Sequence, residues 1–138
     1  MDLWVHLVWR VHARSQRIEA AVQEWLWPAL AAKARELGSA RVVVGGVQDH
    51  VHVLAALPPN LAVAELARRL KGGSSRVAHL KGLNDFAWQE GYGAFTVSRE
   101  DVASVGWYVV EQPRHHQAGT FDRNLEPPTA LPEGHLEQ

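Results

Sequence analysis

The chain has 138 residues, a formal net charge of -1, 46% hydrophobic residues and 21% charged residues. These values are typical of one soluble domain, and they exclude a multidomain enzyme and a protein coated with basic residues for nucleic-acid binding. The absence of cysteine excludes disulfides, thiolate metal sites and cysteine nucleophiles, and it indicates a reducing, cytoplasmic compartment. No run approaches the roughly 20 apolar residues of a membrane span, and the acidic residue near the amino terminus argues against a signal peptide.

The first two predicted elements are a strand and a long helix. Residues 3–10 alternate so that every odd position is apolar, which predicts a strand with one fully apolar face. Apolar residues then recur at near-helical spacing from Ile18 to Leu37, and Gly38 ends that pattern. Because Pro28 lies inside it, we expect this helix to be kinked or split.

Two valine-rich strands follow, over residues 41–47 and 50–57. The first contains Gly45 and a second glycine directly after it, which indicates a bulge or a close approach by another part of the backbone. The second has apolar residues at all its odd positions, so one of its faces is predicted to be buried.

The second half predicts two more helices and one strand. A helix is expected over 61–70, and its apolar pattern continues across two glycines towards Leu80, which leaves its end open. An aromatic-rich run ends in a strand at 94–97, and a helix follows from about 100 to 116. Residues 118–138 are rich in proline and acidic residues without periodicity, which predicts a mobile tail.

The order of these elements predicts an α+β domain over residues 1–117. The β-α-β-β-α-β succession is that of the ferredoxin-like (RRM-like) fold, an antiparallel four-stranded sheet with two helices on one face. The apolar odd faces of the strands would meet those helices. We expect the last helix to cover the opposite face, where His50 and His52 would lie.

His50 and His52 are the first candidates for chemistry. Residues i and i+2 of a strand point to the same side, so both imidazoles would share one face and could bind one metal ion. Two histidines on an ordinary half-exposed strand would give the same pattern, so the pair alone leaves both readings open.

Tyr108 and Gln112 are spaced so that both could approach the two histidines. They stand four residues apart, on one face of the last predicted helix, and His115 and His116 follow them. If that helix covers the histidine face, Tyr108 comes near the imidazoles and Gln112 offers a carbonyl oxygen as a third ligand. The alternative is that Tyr108 only anchors the helix, with its ring in the core and its hydroxyl in water.

A basic segment between residues 61 and 82 indicates contact with phosphates. It contains five basic residues and one acid, Glu65, and the middle of the segment adds glycines and serines. Stacking of unpaired bases would need aromatic side chains, for which Trp4, Trp88 and Tyr92 are candidates. The alternative is an ordinary solvated helix face. The predicted DNA contacts are Arg68, Arg69, Lys71, Ser74, Arg76 and Trp88.

Four stretches together resemble a known family, the single-tyrosine HUH transposases of small bacterial insertion sequences, including those associated with repetitive extragenic palindromes. In chain order they read VGGVQDHVHVLAALPP, LARRLKGGSSR, FAWQEGYGAFTVS and YVVEQ. The resemblance covers residues 4 to 117, nearly all of the predicted domain. It implies a DNA transposase.

The resemblance implies a role for each site residue. His50 and His52 match the family's metal-binding His-hydrophobic-His pair, Tyr108 matches its nucleophilic tyrosine, and Gln112 matches its third metal ligand. It also implies Mg²⁺ or Mn²⁺ as cofactor, a 5′-phosphotyrosine intermediate, and no nucleotide cofactor. Pro113 departs from the family pattern, because proline ends or kinks a helix at this place.

The expected partners are single-stranded DNA, often as a hairpin, and a second copy of the chain. A homodimer is implied by the resemblance, and it is also favoured by the open sheet edges and by the apolar residues of the last helix, which need cover. Two alternatives stay open: a non-catalytic ferredoxin-like protein that binds single-stranded or hairpin DNA, and a hydrolase in which metal-activated water attacks.

Overall fold

The computed structural model describes residues 3–112, which form a four-stranded antiparallel sheet with three α-helices and one 3₁₀ turn. The predicted tail over 118–138, together with Pro113, His115 and His116, lies outside the described residues. The elements in chain order are β1 (Trp4–Arg10), α1 (Ala20–Glu36), β2 (Val42–Gly46), β3 (His50–Ala56), α2 (Val63–Leu80), β4 (Gly93–Val97), the 3₁₀ turn (Arg99–Asp101) and α3 (Val102–Val110).

The strands are ordered β2-β3-β1-β4, and every neighbouring pair is antiparallel. With two helices on one face, this is the ferredoxin-like arrangement, so the predicted α+β fold is confirmed. Both central strands, β1 and β3, carry the alternating pattern seen in the sequence, because each has one face against helices and one face towards α3.

Helix α1 is one continuous helix, and the expectation that Pro28 would split it is wrong. Pro28 is exposed, whereas Leu26, Trp27 and Leu30 on either side of it are buried. A proline inside a helix costs one hydrogen bond, but the burial of apolar side chains on both sides keeps the two halves together. Helix α2 likewise continues through its two glycines to Leu80.

Helices α1 and α2 cover the main core. Leu7 of β1 and Val53 of β3 are fully buried there against Leu30 of α1 and Leu70 of α2. Leu7 and Val53 occupy odd positions of β1 and β3, as the alternation predicted. Burial of apolar surface at this side therefore supplies most of the free energy of folding.

Helix α3 covers part of the opposite face. Val102 and Val109 of α3 are buried against Val43 of β2 and Leu54 of β3 in a second, smaller cluster. The apolar residues of α3 that we expected a partner subunit to cover are therefore covered by the chain's own sheet. Helix α3 runs to Val110, and the predicted continuation from residue 113 towards residue 116 lies outside the described residues.

Gly45 allows α3 to approach so closely. A Cβ atom at this position would collide with the backbone carbonyl of Val109. The close backbone approach predicted from this glycine is thus confirmed, and the approaching backbone belongs to α3. Within residues 3–112, the structure contains no helix with the length and apolar character needed to cross a bilayer.

Candidate active site

His50 and His52 lie side by side on the face of β3 opposite the main core. Each is buried to about the same degree, with 6% of its surface exposed, and the two ring centroids are 5.1 Å apart. The i, i+2 spacing on a strand therefore brings the two imidazoles together, as expected.

Asp49 holds the first of these histidines. Its Oδ1 is 2.7 Å from His50 Nδ1, and its Oδ2 is 3.6 Å from Arg10 Nη1 at the end of β1. Burial raises the pKa of the Asp49 carboxyl, but the hydrogen bond and electrostatic interaction with His50, together with the positive charges of Arg10 and Arg17, outweigh it, so that the pKa lies below its usual value. Asp49 is therefore a carboxylate that accepts a hydrogen bond from the His50 ring.

His6 contacts the second histidine. This residue of β1 is 4% exposed, and its Nε2 is 2.8 Å from His52 Nδ1. The two ring centroids are 5.1 Å apart and the rings are only 24° from parallel, which fits a hydrogen bond in the plane of both rings. Three buried histidines thus form one contiguous group on this face: His50, His52 and His6.

Helix α3 brings Tyr108 to this group. The Tyr108 ring stands edge-on to His52, with centroids 5.8 Å apart, and edge-on to His6 at 6.5 Å. The Tyr108 ring therefore contacts two of the three buried imidazoles. The contact depends on Gly45, which lets α3 lie close to the sheet.

Gln112 follows α3 and is fully buried. Its Nε2 donates a hydrogen bond to the backbone carbonyl of Tyr108 at 3.1 Å. This bond ties the residue that follows the helix back to the residue one turn earlier. The amide nitrogen of Gln112 is therefore engaged, and the predicted role of its carbonyl oxygen as a metal ligand stays a prediction.

The metal-binding capacity of this group is limited. Across residues 3–112, no three His, Cys, Asp or Glu side chains are arranged so that they could hold a metal ion. Two imidazoles are present as donors, and nitrogen donors of this kind suit Mn²⁺ better than Mg²⁺. An ion at His50 and His52 would therefore need further ligands from Gln112, water or a phosphate of the substrate.

The structure corrects one predicted DNA contact, Ser74, and shows how Trp88 is held. Ser74 is 2% exposed, and its hydroxyl donates to the carbonyls of Leu70 and Lys71, so it cannot reach a phosphate. Trp88 donates its Nε1 hydrogen to Ser74 Oγ at 2.9 Å and packs edge-on against Phe86. Trp88 is half-buried at the edge of the main core, and its predicted contact with DNA stays a prediction.

The arginines of the basic segment lie on α2, on the far side of the sheet from the histidines. Arg68 and Arg69 both pair with Glu65, whereas Arg76 is exposed. The basic segment therefore does not adjoin Tyr108. Its role in binding DNA stays a prediction for a separate surface.

Lys71 connects α2 to the histidine side of the sheet. Its Nζ donates to the carbonyl oxygens of Gln89 and Gly91, at 2.7 and 2.8 Å. Burial lowers the pKa of Lys71, against a smaller opposing influence of the Glu90 carboxylate. Lys71 thus fixes the loop over 89–91, a role that its sequence context did not indicate.

A cleft of about 480 Å³ opens beside the histidines. The 89–91 loop forms one wall, and the exposed rings of Tyr92 and Phe95 border the opening. The Phe95 ring centroid is 6.0 Å from that of His6, so the cleft leads directly to the group that Tyr108 contacts.

His6 and Phe95 are the residues of this site that sequence reasoning missed. Both stand opposite each other in the β1–β4 pairing, on the face that carries His52. One signal was available for His6, since it occupies an even position of a strand whose odd positions are apolar. An even position alone does not show which residue of another strand lies next to it.

Comparison with known proteins indicates the same protein family as the sequence motifs. The chain is 31% identical over 120 residues to the ISDra2 transposase TnpA of Deinococcus radiodurans, a match that covers 80% of this chain and 84% of that protein. The crystal structure of a protein of Deinococcus radiodurans R1, assigned as a transposase, superposes with a TM-score of 0.62 at 28% identity, covering 79% of this chain and 89% of that one.

A second solved structure shares the fold. It is a REP-associated tyrosine transposase bound to a REP hairpin, with a TM-score of 0.52 at 15% identity, covering 96% of this chain and 89% of that one. The model of the family described as "Transposase IS200 like" matches residues 1–112, which include the histidine pair, Tyr108 and Gln112. The chain therefore belongs to the IS200-like family of single-tyrosine HUH transposases.

Proposed function

We propose that this transposase cleaves and rejoins single-stranded DNA through a 5′-phosphotyrosine on Tyr108. The observation that carries the proposal is the placement of the Tyr108 ring, edge-on to His52 at 5.8 Å, on the buried polar face of a sheet whose other face is apolar. A tyrosine that only anchored a helix would not require two buried histidines beside its ring.

The chemical step is an exchange of phosphate esters. The Tyr108 oxygen bonds to phosphorus, the bond from phosphorus to the 3′ oxygen breaks, and the phenolic proton is given up as the released 3′ oxygen takes one on. The 5′ phosphate remains attached to Tyr108. Because one ester replaces another, a 3′-hydroxyl can reverse the step and join strands without a nucleotide cofactor.

His50 and His52, with Gln112, are the residues that would hold the divalent ion, Mg²⁺ or Mn²⁺. Each imidazole has its Nδ1 engaged, His50 by Asp49 and His52 by His6, so Nε2 is the nitrogen through which each would bind. This donor set fits a site that the substrate completes. When bound, such an ion supplies positive charge to the scissile phosphate.

The cleft bordered by Tyr92 and Phe95 is where we place the unpaired strand next to the scissile phosphate. Exposed aromatic rings stack on any base, so they would hold a strand without reading its sequence. The cleft adjoins His6 and His52, whereas the arginines of α2 lie behind the sheet. The strand would therefore reach Tyr108 from the β4 side.

A homodimer is part of this proposal, as is a DNA hairpin as the bound form. The central residues of β4, Ala94, Phe95 and Thr96, are exposed, and β4 forms an edge of the sheet. Such an edge is usually covered by another chain or kept short. The hairpin is proposed because a solved transposase of the same fold is bound to one, and the cytoplasm is proposed as the compartment in which the cysteine-free chain works.

The test is a covalent adduct on DNA. Full-length protein is mixed with labelled single-stranded oligonucleotides from the DNA flanking its gene, with Mn²⁺, and run on a denaturing gel. We expect a slowly migrating adduct in wild type and in Tyr92→Phe, and none in Tyr108→Phe. Tyr92 is the matched control because the chain contains only 2 tyrosines.

The outcomes separate the rival functions. Cleavage without an adduct would mean that water attacks, and the protein would be a hydrolase. Binding without cleavage in wild type would identify a non-catalytic DNA-binding protein. An adduct that persists in Tyr108→Phe and disappears in Tyr92→Phe would move the nucleophile to the other tyrosine.

A further inference from the structure

His6 is a buried polar residue that no sequence motif singles out and that takes no part in the proposed exchange of phosphate esters. It is 4% exposed on β1, in a strand that otherwise buries apolar side chains. A buried imidazole must be hydrogen-bonded to offset the loss of water, and the bond of 2.8 Å to His52 Nδ1 provides this. The same bond also engages Nδ1 of His52.

The register of the sheet makes the bond specific to these two strands. His6 is directly opposite Leu54, and His52 is directly opposite Val8, so His6 and His52 are diagonal neighbours on one face. Diagonal side chains reach each other only when both are long or aromatic. The two imidazoles meet this condition, with their centroids 5.1 Å apart.

The hydrogen bond determines where the protons of both rings reside. A neutral imidazole has one N–H donor and one acceptor nitrogen. If His52 binds a metal ion through Nε2, its hydrogen is on Nδ1, and it must donate to His6 Nε2. His6 then carries its own hydrogen on Nδ1.

The same arrangement exists at His50 with a different partner. His50 Nδ1 lies 2.7 Å from Asp49 Oδ1, so a carboxylate accepts its hydrogen. Partners of this kind orient a metal-binding histidine and fix its tautomer, and their loss typically lowers metal affinity by about 10- to 100-fold. The two histidines of the pair are thus held by two unlike groups, one from the adjacent residue and one from another strand.

We propose that His6 is a positioning residue, which orients the His52 ring and keeps its hydrogen on Nδ1 so that Nε2 faces the metal ion. This inference rests on the proposed metal role of His50 and His52. His6 does not itself bind the ion, since its Nε2 is the nitrogen that faces His52 Nδ1.

The first experiment measures Mn²⁺ binding by the full-length protein without DNA, using calorimetry. His6→Phe keeps a ring but removes the acceptor, and we expect it to weaken binding by about 10- to 100-fold. His6→Gln places a carbonyl oxygen near the position of Nε2 and should retain most of the wild-type affinity. His12→Phe, at an exposed histidine outside the site, should leave binding unchanged.

The second experiment reads the tautomer directly. ¹⁵N NMR of the imidazoles at pH 8 should show the His52 hydrogen on Nδ1 in wild type and in His6→Gln. In His6→Phe we expect it to move towards Nε2. A role of His6 in packing alone would leave the His52 tautomer unchanged.

The results distinguish a positioning role of His6 from a ligand role, and both from the absence of a metal site. Wild-type binding that is lost in His52→Ala but unchanged in His6→Phe, with an unchanged tautomer, overturns the positioning role alone. Loss of all binding in both His6→Phe and His6→Gln makes His6 a ligand instead. Equal binding by wild type and His52→Ala removes the metal role of the pair, and the inference about His6 falls with it, whereas the DNA adduct on Tyr108 remains a separate test.

Discussion

The two faces of the sheet are occupied in different ways. On the face covered by α1 and α2, strand residues such as Leu7 and Val53 are fully buried among aliphatic and aromatic side chains. On the face covered by α3, an apolar cluster around Leu54 and Val109 shares the surface with buried histidines that are hydrogen-bonded to one another or to Asp49. One face thus forms the main hydrophobic core, and the other carries polar side chains that hydrogen bonds keep in a defined orientation.

This division has a physical basis. Apolar packing is non-directional and contributes stability in proportion to the area buried. Buried imidazoles contribute little net stability but have only a few hydrogen-bonding arrangements, so they gain orientation from them. A domain of this size can carry such a polar face because its other face is covered by two long helices.

The largest expected effect on stability comes from a substitution on the face of the sheet that α1 and α2 cover. Leu7→Ala should lower the free energy of unfolding by about 2–5 kcal/mol, because it removes buried methyl groups and leaves a cavity. Val8→Ala, at a half-buried position on the opposite face of the same strand, should cost about 1 kcal/mol. Urea denaturation measures both, and equal costs would contradict the division of the two faces.

A smaller loss of stability is expected from Gly45→Ala, which acts on the face that α3 covers. The added methyl group would collide with the Val109 carbonyl, so α3 must move away from the sheet, at a cost of about 1–3 kcal/mol. Hydrogen exchange should accelerate in α3 before it does in α1, and adduct formation should fall.

The matched control is Gly72→Ala on α2, where an added methyl group meets no atom within 4 Å. We expect this variant to raise the free energy of unfolding by about 0.5–1 kcal/mol, since alanine favours a helix interior more than glycine does. If Gly45→Ala also stabilised the protein, the close approach of α3 would be refuted.

The free energy of unfolding should also depend weakly on pH, through Asp49 on the polar face. The folded-state pKa of Asp49 lies below its ordinary value of 3.8, so its pairing stabilises the fold above that pH and is lost as pH falls through the lower, folded-state pKa. Because Asp49 is 40% exposed, solvent screening limits the effect to about 1 kcal/mol or less. The difference in free energy of unfolding between Asp49→Asn and wild type, measured by urea denaturation from pH 7 downwards, should begin to narrow as the pH falls below 3.8.

The smallest global effect is expected from Lys71→Met, which loses the bonds to the Gln89 and Gly91 carbonyls. The loop should open locally while the rest of the domain remains folded. Hydrogen exchange over residues 88–93 should accelerate, with unfolding by urea almost unchanged. Arg76→Met, at an exposed position of the same helix, is the control and should affect neither measurement.

Much of this architecture could be predicted locally. Alternation identified β1 and β3, helical spacing identified α1 and α2, and the glycine at 45 indicated a close approach. The ends of elements were less predictable: α1 passes through Pro28 because its flanking residues are buried, and α2 continues through its two glycines to Leu80. Burial by distant residues decides such cases, and it is not contained in the local pattern.

The sequence by itself determined the family, through its motifs, and the fold class and the shared face of His50 and His52, because strand alternation and helix spacing are local properties of the chain. Only the tertiary structure decided which groups meet. The order β2-β3-β1-β4 and the register of β1 on β3 place His6 beside His52, and the same packing puts Arg68 behind the sheet and buries Ser74. These contacts join residues far apart in the chain, so they follow from how the strands and helices pack together and not from any one segment.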